Sequence, residues 1–236
     1  MRRWALLAVA LASAGAAQQP LVAVRESDPA AAGPLAHEAF RAAFGRQGEA
    51  QVSRDGRTYD FAPVTAIALG GGRVALVSTG ALRDAGHPEE GLNAIHYLAR
   101  TGGRLSVTGR WFGLGAGGSH GRSLTQWGVT RALSRWPVLY SEGGGTWQGC
   151  TVTIAVLTEL HASGPIDVAQ IPVGYSNGGM IEGPKADDVE GAIVAAVPDR
   201  SFTVRYNGTM DFTETYRRSG DAYRLVGRRE SRMPGC

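Results

Sequence analysis

The alternation between Cys150 and Leu160 constrains the fold more than any other feature of the chain. Even positions carry Cys150, Val152, Ile154, Val156, Thr158 and Leu160, and odd positions carry Thr151, Thr153, Ala155, Leu157 and Glu159. A period of two assigns these sets to opposite faces of a pleated strand, and the β-branched content suits one. The even face reads as core and the odd face as half-solvated. Residues 161–164 then form a turn, and Pro165 opens a return strand over residues 166–173. Pro165 and Pro172 have no N–H to give a ladder, so this strand should lie at an edge or end early. Upstream, Gly143, Gly144 and Gly145 read as a sharp bend, and Trp147 reads as a core anchor.

Similar two-residue patterns recur through most of the chain. Residues 59–69 and 73–79 flank Gly70-Gly71-Gly72, a hairpin signature, and residues 92–99 and 104–112 flank a turn ending in Gly102-Gly103. In the latter, Leu105, Val107 and Trp111 alternate with Arg104, Ser106, Thr108 and Arg110. Residues 191–197 and 201–206, and then 211–217 and 222–228, give two further hairpins. Residues 123–133 fit either strand or helix. One helix is expected, over residues 34–46: Leu35, Ala39, Phe40, Ala43 and Phe44 recur at helical spacing, Pro34 suits the first turn and Gly45 the end. Residues 47–57 read as polar and irregular. Gly102, Gly164 and Gly220 sit in similar turns roughly sixty residues apart, a faint repeat that would suit blades. The fold expected is mainly β, with antiparallel hairpins forming a sandwich or open barrel and one short N-terminal helix. A propeller-like stack of blades is the alternative.

Three segments follow. Residues 1–17 read as a secretory signal peptide, with Arg2 and Arg3 ahead of a short apolar run and small residues at the cleavage site. Residues 18–57 are a lead-in carrying the helix, and residues 58–236 a single β domain. The expected location is therefore periplasmic or secreted, and no stretch is long enough to span a membrane as a helix. The formal charge of +3 includes Arg2 and Arg3, so the remainder is close to neutral. A near-neutral body makes no electrostatic case for nucleic acid. The only two cysteines, Cys150 and Cys236, are expected to pair in an exported chain.

Chemistry is harder to find. Gly174-Tyr175-Ser176-Asn177-Gly178 matches G-x-S-x-G and resembles the nucleophile elbow of α/β-hydrolases, esterases in particular. That resemblance implies Ser176 as a nucleophile on a strand-to-helix turn, followed in the chain by an acid and a histidine. Here all five histidines precede Ser176, and Gly183 and Pro184 interrupt any helix after it. A rearranged set would draw on His120 or His161, with Ser176 or Ser119. The run from Gly113 to Gly118 fits G-x-G-x-x-G, but Pro137 stands where a dinucleotide site needs an acid. No clustered metal ligands occur, so neither cofactor nor metal is expected. Trp127 and Trp136, with His120, are the candidate ligand-binding residues, beside two glycine-rich stretches. The reading favoured is an exported, non-enzymatic binding or interaction module of a bacterial-type cell envelope, holding a macromolecule or glycan. A secreted serine hydrolase using Ser176 and a structural envelope protein are the alternatives.

Overall fold

The computed structural model describes residues 19–181 and 183–236; the leader expected over residues 1–17 lies outside them. The described chain is mainly β, in two antiparallel sheets. The smaller sheet is a simple meander of β2 (Ala50–Arg54), β3 (Arg57–Gly70), β4 (Arg73–Leu82), β5 (Leu92–Thr101) and β6 (Arg104–Phe112). The larger begins with β1 (Arg25–Glu26) beside β7 (Gln126–Thr130). It continues in chain order through β8 (Val138–Trp147), β9 (Cys150–His161), β10 (Gly164–Ser176), β11 (Asp188–Val197), β12 (Ser201–Gly208), β13 (Phe212–Ser219) and β14 (Ala222–Leu225). Short hairpin loops between neighbours account for this order. It is a sandwich whose larger sheet curls into an open half-barrel, and it has no blade-like units among the described residues.

The helix α1 (Pro34–Phe44) starts at Pro34 and stops at Gly45, whose φ of 73° closes it through an N–H to the Arg41 carbonyl. Ala36, Ala39 and Phe40 bury against Phe61, Leu76 and Leu98 on one face of the smaller sheet. Leu35, expected on the apolar face, is exposed. The other face of that sheet carries Val64, Val77, Ile95 and Tyr97, which meet Leu139 and Leu160 of the larger sheet. A third core fills the curl of the larger sheet, with Leu157, Ile171, Phe202, Tyr206 and Tyr223.

Several expectations change. Residues 47–57 are not irregular: β2 pairs with β3 through a tight turn at Asp55 and Gly56, with φ of 51° and 76°. An Asp-Gly pair in such a turn is a hairpin signal. The alternation in β6 does not hold one face. A register shift between Tyr97 and Leu98 inserts an extra residue, so Leu105 and Val107 pack towards α1 while Trp111 packs between the sheets. In β9 both faces bury. Ala155, Leu157 and Glu159 on the odd face are sealed by the curl, while Val152 and Ile154 on the even face are only half-buried. Gly143, Gly144 and Gly145 make no bend; they lie within β8, paired with Ile154, Thr153 and Val152. Trp147 is 42% exposed rather than a core anchor. The prolines of β10 fit half of what they imply. β10 is internal, but it pairs with β11 only over Gly174–Ser176. Pro165 and Pro172 both lie where it pairs with β9 alone. The expected Cys150–Cys236 disulfide is present.

Candidate ligand groove

The two glycine-rich stretches meet. The loop after β6, residues 113–121, folds back onto β8, and the Ser119 N–H donates to the Gly144 carbonyl at 2.8 Å. A Cβ on Gly143 would collide with the Gly117 backbone, so only glycine permits this approach. Buried polar groups then pin the loop. The Ala116 N–H donates to Ser141 Oγ at 2.9 Å, and Asn93 donates to the Ala116 carbonyl at 2.7 Å while accepting from the Leu124 N–H at 3.2 Å. Ser141 and Asn93 are both buried. The Gly115 N–H reaches both oxygens of Asp167, and Thr158 Oγ1 donates to the same carboxylate at 2.6 Å. Burial pushes the Asp167 carboxyl above its ordinary value, and the bonds from Thr158 and Gly115 offset part of that rise.

Beneath this loop lies a groove of about 460 Å³, floored by Val152 and Ile154 and flanked by Glu90, Trp147, Asp167 and Gln170. Val152, Ser119, Gly144 and Gly145 also line a smaller hollow of about 260 Å³, with His120 and Thr151. The rim is aromatic. The rings of His87 and His120 lie edge to face at 4.3 Å, and His87 meets Trp147 at 5.4 Å. The His120 N–H donates to the His87 carbonyl, which holds His120 at φ 57°. A non-glycine residue held there is strained, and such strain gathers at functional sites.

Of the residues singled out from sequence for chemistry, Ser119 and, from the glycine-rich run, Gly113, Gly115, Ala116 and Gly117 line the groove, and His120 lines the smaller hollow beside it. Trp127 packs into the inter-sheet core, under the Arg25 guanidinium at 5.8 Å. The Trp136 ring lies tilted by 31° against that of His161, with centroids 5.1 Å apart. The His161 ring donates to Glu159 at 2.7 Å, and Arg218 grips the same carboxylate with two nitrogens. Burial works against ionisation of Glu159, but the Arg218, His161 and Ser134 contacts outweigh it and hold the carboxyl below its usual range. Ser176 ends β10, paired with Thr151 and Asp188. The chain beyond turns at Asn177 and reaches only a three-residue helical turn, Gly183–Lys185. Among the described residues no hydrogen bond joins a serine to a histidine. Nor do three His, Cys, Asp or Glu side chains gather as a metal site there, and no described helix is long and apolar enough to cross a membrane.

Sequence alone casts Trp147 as a core anchor and does not single out Gln170, Glu90 or Asp167. One signal was available: a glycine run in register with an alternating strand marks close backbone approach. Comparison with protein families, curated proteins and solved structures gave no match in any of the three.

Proposed function

We propose that the protein is a non-enzymatic binding module of an exported chain, acting at a cell envelope, and that its groove holds an oligosaccharide segment of a larger glycan. The observation that carries this reading is Trp147, exposed on the rim of a groove whose wall is pinned by buried hydrogen bonds. An exposed indole offers a flat apolar face for the C–H side of a sugar ring. The Gln170 amide, the Ser119 hydroxyl and the Glu90 carboxylate suit hydroxyl groups. A wall already rigid costs little ordering entropy on binding. The disulfide agrees with an oxidising compartment.

The experiment is retention on insoluble peptidoglycan and titration with soluble oligosaccharides. The protein should be retained, and Trp147→Ala should lose retention with an unchanged melting temperature. Absence of any glycan binding by the unaltered protein sinks the reading. Labelling by an activated-serine probe that disappears in Ser176→Ala would replace it with the hydrolase.

A further inference from the structure

The groove does not end at Asp167 and Gln170. Both residues also line a second hollow of about 570 Å³, between the half of β10 that lacks β11 and the last strand, β14. Its far side is formed by Arg224 of β14 and by Arg229 in the tail that follows. Both arginines are exposed, and neither takes part in an ion pair among the described residues. We infer that this second hollow is the anionic subsite of the same groove, so that the ligand is an acidic polysaccharide, with its sugar face at Trp147 and its carboxylates at Arg224 and Arg229. The inference rests on the glycan reading above and deepens it.

Charge distribution supports this assignment. Residues 201–236 carry seven arginines against four acids, whereas residues 1–200 carry seventeen charges of each sign. The positive excess therefore belongs to the segment that contains β14 and the tail. Arginine presents a planar fork that matches a carboxylate with two parallel hydrogen bonds. Two acids also line the hollow, Asp167 and Glu230. The Asp167 carboxylate is taken up by Gly115 and Thr158. Glu230 is exposed at the surface.

The open side of β10 also argues against a peptide ligand. A peptide adds to a sheet edge by continuing its ladder. Here Pro165 and Pro172 lack donors, and the register breaks between Asp167 and Ala169. Such features are how edges refuse another strand. A saccharide needs no backbone ladder and is not excluded by them.

The test uses the full disulfide-bonded protein with three probes of equal length: a galacturonate hexamer, a neutral N-acetylglucosamine hexamer and a glutamate hexapeptide. At low ionic strength the galacturonate should bind about tenfold or more tighter than the neutral sugar, a gain that salt removes. The double variant Arg224→Gln/Arg229→Gln should bind both sugars equally, with its melting temperature confirming an intact fold. Trp147→Ala should lose both. Equal binding of the two sugars by the unaltered protein, or a preference that survives the double variant, overturns the anionic subsite while leaving the glycan reading in place. Glutamate hexapeptide binding as tightly as galacturonate overturns it in favour of an acidic peptide. No binding of either sugar removes both readings.

Discussion

Asp167 on β10 accepts the Gly115 backbone N–H with both carboxylate oxygens, at 3.1 and 3.2 Å, although the two residues lie 52 positions apart. One carboxylate thereby ties the smaller sheet's exit loop to the larger sheet and sets the wall of the groove. Burial raises its pKa, so the folded state holds this proton more tightly than the unfolded chain does. A group of that kind favours folding at low pH, and its contribution falls as pH rises through the folded value. Asp167→Asn should therefore gain on the unaltered protein as pH is raised from 3.8 upwards. Urea midpoints of the two proteins across that range check it.

His96 behaves in the opposite sense. It is buried beside Phe44 and Phe112, its Nδ1 has no partner, and burial, aided by the charge of Arg110, pushes its pKa down to about 4. The unfolded chain binds the proton more readily, so stability falls as pH drops from 6.5 towards 4. The loss is on the order of 3 kcal/mol. His96→Leu should flatten this slope, read from unfolding midpoints in the same window.

Glu159 is the buried charge most dependent on a partner. Arg218 grips it at 2.5 and 3.1 Å, with His161 on its other side. Removing the cation leaves a carboxylate only 1% exposed, so Arg218→Met should cost about 3–5 kcal/mol. The double variant with Glu159→Gln should recover part of that. A double-mutant cycle in urea measures the coupling.

Gly143 is predicted to be irreplaceable for the groove. Gly143→Ala places a methyl against the Gly117 carbonyl, and backbone cannot move aside as a flexible side chain would. The loop should lift, at a cost of about 1–3 kcal/mol. Hydrogen exchange of the Ser119 amide should accelerate, because its bond to the Gly144 carbonyl is lost.

The Cys150–Cys236 bond spans 86 residues and ties the chain's last residue to the start of β9. Replacing both cysteines with serine should cost about 4 kcal/mol in the chain-entropy account. Thermal melts of the variant and of the reduced protein should agree.

What the sequence determined by itself was local. Alternation in residues 150–160, the glycine turns and the Pro34–Gly45 punctuation specified strands, hairpins and a helix, because each depends on neighbours a few positions away. Only the tertiary structure decided which faces are buried. A strand between two cores has no wet side, which is why the odd face of β9 closed over Leu157 and Glu159. A single extra residue in β6 moved Trp111 to the face opposite Leu105. The groove belongs to the same category. Glu90, Ser119, Trp147 and Asp167 come from distant parts of the chain. They meet through glycine contacts and sheet curl, which arise from packing at long range and leave no periodic trace.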